Sequence, residues 1–223
     1  MLNHGGSRWS NDCSFDQMII DVDQAITELG HGSSAVLMGI SLGGRAVMWE
    51  ALHNPDSVSS LIVIDVTPGS AINGPYDVDE YLLEMARINR NWPRKDDLPL
   101  HKARKWLDHH FRELIPDDNL RAYVLTNLER RGESYSWKCN VEALSKNARS
   151  LRSLPKSPNK FVKATQFIGG TDSIYITKER HKDIYANFPN ADIEMIDNCG
   201  HWVHFDQPQR FLQICTDFLL DKS

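Results

Sequence analysis

The segment MGISLGG, residues 38–44, places a serine between glycines directly after the apolar run AVLMGI. Gly39, Ser41 and Gly43 form the pattern GxSxG, which is typical of a strand that turns sharply into a helix and presents the serine side chain at the turn. Small residues two positions before and after the serine leave room for such a crowded turn. We therefore interpret Ser41 as a candidate nucleophile rather than an ordinary turn residue.

A serine hydroxyl at neutral pH needs a base to take its proton and a donor to stabilise the oxyanion that forms. His201 is the candidate base, because it follows the predicted strand ADIEMID and precedes the last predicted helix. The N–H of Leu42 is the candidate oxyanion donor, because it lies at the predicted start of a helix. His204 gives an HxxH spacing with His201, but no carboxylate or cysteine framework accompanies it, and we expect neither a metal nor a cofactor.

The acid that would orient His201 has two main candidates. Asp65 ends the predicted strand SLIVIDV, and Asp172 follows the predicted strand TQFIGG. Both would lie at the carboxyl ends of parallel strands, where open α/β sheets collect their chemistry. Glu142 is a weaker third candidate, because an acid on a helix usually faces solvent. The pattern of residues leaves this choice open.

The elements that must position these residues alternate between apolar runs and helical patterns. The stretch SFDQMIIDVDQAITELG predicts a first helix, with Ser14 as its N-cap and Gly30 at its end. Strands are predicted for AVLMGI, SLIVIDV, FVKATQFIGG and ADIEMID, and helices for LGGRAVMWEALHNP, KERHKDIYANFP and QPQRFLQICTDFLLD. This order indicates an α/β fold, a mostly parallel sheet with flanking helices.

Residues 70 to 155 separate the first two predicted strands from the last two. They contain four helical patterns, DVDEYLLEMARINR, LHKARKWLDHHFRELI, NLRAYVLTNLERR and VEALSKNARSL, and no convincing strand. We expect these residues to form a helical lid inserted into one domain that covers residues 1–223.

Composition favours a small neutral ligand. The 25 basic and 30 acidic residues are interspersed and give a net charge of −5, so nothing indicates a nucleic-acid partner. The four cysteines form no CxxC pair, which is typical of a reducing intracellular compartment. No apolar run approaches the roughly 20 residues of a membrane span, and the first residues do not form a signal peptide.

The order of these motifs resembles the α/β-hydrolases, and within them the abhydrolase domain-containing protein 11 group and related bacterial esterases. The matching segments are NHGGS, GISLGG, VIDVTP, LTNLERRGESYSWKCNVEAL, FIGGTDSIYI and GHWVHFDQPQRF. The resemblance implies a serine hydrolase that acts on small-molecule esters or thioesters of acyl chains, with Ser41 as nucleophile and His201 as base. It slightly favours Asp65 as the acid, and it implies a mitochondrial location, with the cytoplasm as the alternative.

Members of this family carry further strands and an HG loop before their NHG segment, and that loop supplies a second oxyanion donor. The sequence begins at MLNHGG. We therefore expect the first strands to be missing, with an apolar sheet edge that a protein partner covers. Loss of one oxyanion donor lowers the rate by about 10²- to 10³-fold. A catalytically weak or inactive binding protein with a hydrolase-like fold is therefore the alternative function.

Overall fold

The computed structural model describes residues 1–30, 34–69, 78–92 and 98–221. The chain divides into two compact units. One, which we call the sheet unit, consists of Phe15–Ile72 and Leu151–Ser223. The other, the inserted unit, consists of Met1–Ser14 and Asn73–Ser150.

In chain order the elements are α1 (Phe15–Gly30), β1 (Ala35–Ile40), α2 (Ser41–His53), β2 (Val58–Ile64), α3 (Val78–Arg90), α4 (Leu100–His110), α5 (Asp118–Leu125), β3 (Leu128–Arg131), β4 (Ser134–Trp137), α6 (Val141–Asn147), β5 (Thr165–Gly170), α7 (His181–Asn187), β6 (Ala191–Ile196), α8 (Val203–Asp206) and α9 (Pro208–Asp221). Short 3₁₀ turns cover Pro55–Ser57, Ala148–Arg152 and Lys178–Arg180. Among the helices of the described ranges, none has the length and apolar character needed to cross a bilayer.

The sheet unit is built around four parallel strands in the order β1-β2-β5-β6. The expected parallel α/β sheet is confirmed, and its strands are the four predicted from apolar runs. The register places Ile40 beside Ile64, Ile64 beside Ile168, and Gly170 beside Ile196. Because all four strands run in the same direction, their carboxyl ends form one edge, which we call the carboxyl edge.

Helices cover both faces of this sheet. On one face α9 packs Ile214, Cys215 and Phe218 against alternate residues of the strands, among them Ile62 and Ile168. On the other face α2 packs against β1 and β2, and α1 packs against α2. Nearly continuous apolar runs for the strands and helical spacing of apolar residues for the helices are the two patterns that predicted these elements. The helices therefore fix the strands whose ends carry the candidate residues.

Strand β1 lies at one edge of the sheet, and apolar side chains are exposed along it. Val36 is 45% exposed and Met38 46%, whereas Ile40, two residues further on the same face, packs against the core. An edge strand with exposed apolar side chains is a surface on which another strand or chain can pair. The expected apolar edge is thus present along β1.

The inserted unit differs from the prediction of helices alone. It contains helices α3 to α6 and also an antiparallel hairpin of β3 and β4, in which Leu128 pairs with Trp137 and Arg131 with Ser134. The predicted helix over NLRAYVLTNLERR was wrong in its second half, since α5 ends at Leu125 and the chain then enters β3.

The hairpin has a weak sequence signal because its strands are only four residues long. Tyr135 and Trp137 are buried on one face, but the charged run ERR of β3 obscures the same alternation in the facing strand. The turn depends on Gly132, whose φ of 60° lies in the left-handed region that favours glycine. A glycine between two alternating segments was the available clue.

The first residues of the chain are tied into the inserted unit by Asn3. This buried side chain donates to the Ser10 carbonyl at 3.0 Å and to Cys13 Sγ at 2.8 Å, and it accepts from Asn140 Nδ2 at 3.0 Å. A buried amide is tolerated because its donors and acceptors are satisfied. The segment NHGGS therefore has a structural role in this unit, through its asparagine.

The end of α2 is joined to the start of β2 through a buried carboxyl. Glu50 has no solvent exposure, and its Oε1 accepts hydrogen bonds from Asn54 Nδ2 at 3.1 Å and Ser57 Oγ at 3.0 Å. Its other oxygen has no hydrogen-bond partner in the described part of the chain. Burial raises the pKa of Glu50, because removal from water disfavours the charged form more than these hydrogen bonds favour it.

Replacement of Glu50 by Gln should raise the thermal stability at pH 7.5. With its pKa above the unfolded value, Glu50 contributes most to stability below the unfolded pKa, and that contribution is lost as the pH rises through the folded pKa. Glu50→Gln has no ionisable group at this position, so it does not lose stability as the pH rises. Its Tm should therefore exceed that of the wild type at pH 7.5, and the Tm values of the two proteins should converge near pH 4.5, the pKa of a free glutamate. Calorimetry across this range is the measurement, and an equal Tm difference at both pH values would contradict the prediction.

Candidate active site

The carboxyl edge of the sheet brings together residues that are far apart in sequence. Ser41 follows β1, Asp65 follows β2, Ser173 lies in the loop after β5, and His201 lies in the loop after β6. All of them belong to the sheet unit. The predicted nucleophile, the predicted base and the two predicted aspartates, Asp65 and Asp172, therefore all follow strands that share an edge.

Ser41 occupies a sharp turn between β1 and α2. Its φ is 51°, in the left-handed region, while Ile40 before it is extended. A non-glycine residue in this conformation is strained by about 1–3 kcal/mol, and the strain persists only where the surrounding packing enforces it. The serine residue is half-buried at this turn.

The glycines around the serine differ in what they contribute. A Cβ on Gly39 would lie 2.4 Å from the Gly43 carbonyl oxygen, and one on Gly44 would lie 2.7 Å from Val66 Cγ1. A Cβ on Gly43 would meet no atom within 4 Å. The expectation that both glycines of GxSxG relieve crowding is therefore right for Gly39 and wrong for Gly43, because Gly44 is the residue of α2 that faces the sheet.

The backbone of Leu42 lies in the first turn of α2. N–H groups in this turn have no acceptor within their own helix, and the positive end of the helix dipole is at the same place. The Leu42 N–H can therefore donate to a negatively charged oxygen beside Ser41, such as the former carbonyl oxygen of a group that Ser41 Oγ attacks.

A hydrogen bond joins His201 to Asp65. His201 Nδ1 lies 2.7 Å from Asp65 Oδ2, the Asp65 side chain is fully buried, and the His201 side chain is 19% exposed. The Asp65 backbone adopts a φ of 44°, and its N–H donates to the Ile168 carbonyl at 2.8 Å. Because Nδ1 is engaged with the carboxylate, Nε2 is the ring nitrogen that can take a proton from a nucleophile.

The contact between His201 and Asp65 requires the loop after β6 to cross the end of β5. A Cβ on Gly170, the last residue of β5, would lie 2.1 Å from the Cys199 carbonyl oxygen and 2.4 Å from that of Gly200. Any larger residue would displace the loop that carries His201. Gly170 therefore helps to position the loop that carries His201, which the residue pattern alone does not indicate.

The crossing loop is held by three hydrogen bonds from its surroundings. Asn198 N–H donates to Thr171 Oγ1 at 3.1 Å, Asp172 N–H to the Cys199 carbonyl at 3.0 Å, and Gly200 N–H to Asp206 Oδ2 at 2.9 Å. Asn198 itself has a left-handed φ of 55°. The backbone of Asp172 thus anchors the loop, while its side chain is exposed.

The carboxylate of Asp65 accepts a further hydrogen bond, from a residue that the sequence analysis did not predict. Ser173 Oγ donates to Asp65 Oδ2 at 2.5 Å, and the Gly170 N–H approaches Asp65 Oδ1 at 3.4 Å. Of the candidate acids, Asp65 is the one bonded to His201. Glu142, the third candidate, accepts a hydrogen bond of 2.5 Å from Arg90 within the inserted unit.

Aromatic rings surround the histidine. The Tyr175 ring centroid lies 4.5 Å from that of His201, and the Trp202 centroid lies 5.5 Å from it. His204 packs between Phe205 and Phe211, and burial together with the neighbouring His201 lowers its pKa. In the described ranges no group of three or more His, Cys, Asp or Glu side chains is arranged to hold a metal ion.

Cys199 lies in the same loop but is a poor nucleophile. Its buried Sγ contacts the Ile196 carbonyl at 3.2 Å. Burial is the main reason that its pKa is raised to about 11, and the negative charges of four nearby aspartates raise it further. The thiol is therefore protonated at neutral pH, and the thiolate that would compete with Ser41 is scarce. The four cysteines are all buried and free of disulfides.

Comparison with known proteins gives concordant results. A sequence model described as the alpha/beta hydrolase family matches residues 1–214. The protein named sn-1-specific diacylglycerol lipase ABHD11 of Mus musculus is 33% identical over 217 residues, 97% of this chain and 69% of that protein. A putative esterase/lipase of Haemophilus influenzae is 29% identical over 219 residues, 98% of this chain and 71% of the relative. The solved structure of a marine microorganism esterase superposes with a TM-score of 0.84 at 29% identity, covering 97% of this chain and 82% of that one.

The two glycines of GxSxG provide a matched test of the turn. Gly39→Ala should destabilise the fold by about 3 kcal/mol or more, because its methyl group would collide with backbone rather than with a side chain that can move. Gly43→Ala should be neutral or stabilising by up to about 1 kcal/mol, because alanine is the better helix former and its methyl group meets open space. Urea unfolding of both variants is the measurement. Equal destabilisation would show that the turn is not crowded as described.

Proposed function

The chain belongs to the alpha/beta hydrolase family and is a hydrolase of the esterase and lipase type; on that basis we propose that it cleaves carboxylic esters through an acyl-enzyme formed on Ser41. The observation that carries this proposal is the hydrogen bond of 2.7 Å between His201 and the buried Asp65, at the edge where the left-handed turn presents Ser41. Nucleophilic catalysis by serine requires such a base, oriented by a third group.

In the first half of the reaction, Ser41 Oγ attacks the carbonyl carbon of the ester while His201 Nε2 takes the hydroxyl proton. The carbonyl oxygen becomes an oxyanion, which the Leu42 N–H and the start of α2 stabilise. When the C–O bond to the alcohol breaks, the imidazolium returns the proton to the leaving oxygen. The products of this half are the free alcohol and an ester between the acyl group and Ser41.

In the second half, water replaces the alcohol. His201 Nε2 takes a proton from the water as its oxygen attacks the acyl carbon, and a second oxyanion forms beside the Leu42 N–H. Collapse of this intermediate breaks the bond to Ser41 Oγ, and the imidazolium gives Ser41 its proton back. The carboxylic acid then leaves, and the site returns to its initial protonation state.

Asp65 supports both halves by holding His201 in one orientation and stabilising its charged form. The carboxylate can do this because Ser173 and the Gly170 N–H fix its two oxygens. Ser173 is a positioning residue in this scheme, since it contacts the acid and not the reacting atoms. Burial of Asp65 strengthens the interaction with imidazolium, because the local dielectric constant is low.

The substrates we propose are esters of acyl chains, as the names of the mammalian relative and the bacterial esterases suggest. The rings of Tyr175 and Trp202 beside His201 provide apolar surface of the kind that lines small-molecule sites. Three expectations from the sequence stay predictions: cleavage of thioesters, a protein partner at the β1 edge, and a mitochondrial location.

Replacement of Ser41 by Ala should lower kcat/KM for a p-nitrophenyl ester by about 10⁴-fold or more and abolish labelling by a fluorophosphonate probe, because the acyl-enzyme cannot form. The exposed Ser150 provides the control, and Ser150→Ala should label like the wild type. Circular dichroism establishes that each variant is folded. Retention of most of the activity in Ser41→Ala would remove Ser41 from the mechanism.

A matched pair of aspartates tests the acid. Asp65→Asn should lower kcat by about 10³- to 10⁴-fold, because the amide cannot hold the imidazole in the required tautomer or stabilise its charge. Asp172→Asn should remain within about twofold of the wild type, because this side chain is exposed and its anchoring role uses the backbone N–H. Steady-state kinetics of both variants decides the assignment, and the reverse result would transfer the role to Asp172.

A further inference from the structure

A buried arginine lies one helical turn from the candidate nucleophile. Arg45 is the fifth residue of α2, four positions after Ser41, and it is 5% exposed. Its Nε and Nη2 atoms are buried and have no hydrogen-bond partner in the ranges that the structure describes. A guanidinium group carries five N–H donors and is always charged near neutral pH, so its donors normally find acceptors when they are buried.

Arg121 is the other buried arginine in the described part of the chain, and it provides a comparison. It is 3% exposed, and its guanidinium donates to Asp108 Oδ1 at 2.6 Å, to Asp118 Oδ1 at 2.5 Å and to the Ile115 carbonyl at 2.7 Å. Two carboxylates and a carbonyl therefore balance that charge. Arg45 is buried to a similar extent without this compensation among the described residues.

The groups around Arg45 do not neutralise it. Burial lowers the pKa of Arg45 to about 10, so it is still charged at pH 7, and the other influences on it are Tyr175 and a second cation, Arg180. Burial also raises the pKa of Tyr175, so its phenol is neutral at pH 7. Asp65, which lies near enough to act on Tyr175, already accepts hydrogen bonds from His201 and Ser173.

The start of α2 adds further positive potential. The dipole of this 13-residue helix places partial positive charge at its first turn, near Ser41 and Arg45. A buried, uncompensated charge is among the most unfavourable features of a folded protein. The buried charge of Arg45 is therefore consistent with a site at which a bound anion neutralises the guanidinium.

This positive region adjoins the site of acyl transfer. Tyr175, which lies near enough to Arg45 for the two to interact electrostatically, has its ring centroid 4.5 Å from that of His201, with the rings tilted by 40°. Along α2, Ser41 and Arg45 are separated by about 6 Å of helix rise. We propose that Arg45 binds an anionic group of the substrate, so that the enzyme acts on esters that carry a carboxylate at a short distance from the scissile bond. This inference rests on the proposed function and names its substrate class.

The carboxylate can belong to the acyl chain or to the alcohol, and two pairs of substrates distinguish these sources. The acyl pair is monoethyl adipate and ethyl hexanoate, measured by ethanol release. The alcohol pair is 4-acetoxybutanoate and pentyl acetate, measured by acetate release. In each pair the two esters have similar length and differ in one carboxylate, so the ratio of their kcat/KM values reports recognition of the anion.

The wild type should prefer the charged member of one pair. Arg45→Met should lower that preference by about tenfold or more, because a charge-assisted hydrogen bond is lost, and Arg45→Lys should retain part of it. Arg149→Met removes an exposed arginine and should leave the ratio as in the wild type. A wild-type ratio that shows no preference in either pair, or the same ratio in Arg45→Met, would overturn the inference.

A binding measurement separates this inference from the proposed function. In a Ser41→Ala background, monoethyl adipate should raise the Tm more than ethyl hexanoate does, or 4-acetoxybutanoate more than pentyl acetate, and Arg45→Met should abolish the difference. Hydrolysis of the neutral esters without this Arg45-dependent shift would leave the proposed function intact and refute the anion site. If no ester is hydrolysed and the fluorophosphonate probe does not label the protein, the proposed function is refuted. The rise in Tm on binding of the charged ester would still decide whether the anion site exists.

The stability of the ligand-free variants gives an independent readout. An arginine whose charge is uncompensated destabilises the ligand-free protein, so Arg45→Met should have a Tm equal to or above that of the wild type. Arg121→Met should lower the Tm, because it removes the hydrogen bonds of the guanidinium to Asp108 and to the buried Ile115 carbonyl. A marked loss of stability in both variants would show that Arg45 has a structural partner and would contradict the proposal. Arg45→Gln, which is polar but uncharged, is a second kinetic variant and should also lower the preference for the charged ester.

Discussion

The candidate site depends on a hydrogen bond that spans the end of a strand. Asp65 follows β2 and His201 follows β6, and β5 lies between these strands in the sheet. The two side chains meet because the β6 loop crosses directly over Gly170, where a side chain would collide with the Cys199 and Gly200 carbonyls. The absence of one Cβ on the intervening strand is thus a condition for the contact between acid and base.

Backbone strain is concentrated at the same edge. Ser41, Asp65 and Asn198 all adopt left-handed backbone conformations, and each follows a different strand of the sheet. Such conformations are maintained where packing enforces them. Here the enforcing elements are the buried strands and the helices on both faces, with α9 packed against Ile62 and Ile168. The core therefore holds three turns of this kind, and two of them carry the candidate nucleophile Ser41 and the candidate acid Asp65.

Charge in this protein is informative at a local scale and not at the scale of the whole chain. A net charge of −5 with mixed signs suggests a neutral ligand. The surroundings of Ser41 are different, because Arg45 is buried beside a neutral phenol and near a second cation. The net charge of the whole sequence does not report this local excess of positive charge, because acidic residues elsewhere outnumber the basic ones. A charge acts mainly within about one Debye length, and most strongly where it is buried.

The sequence by itself determined the class of fold, the four strands and the positions of Ser41 and His201, because these depend on local pattern. Apolar runs, helical spacing and a glycine-flanked serine are properties of short segments, and packing did not overrule them. The hairpin of β3 and β4 was not predicted, because each strand has only four residues and charged side chains mask the alternation in β3. Only the tertiary structure shows that His201 is bonded to Asp65 and not to Asp172, and that Gly170, Ser173 and Arg45 lie where they do. Each depends on which loops cross, which side chains are buried and which groups meet across strands, and the spacing of residues along one chain does not contain that information.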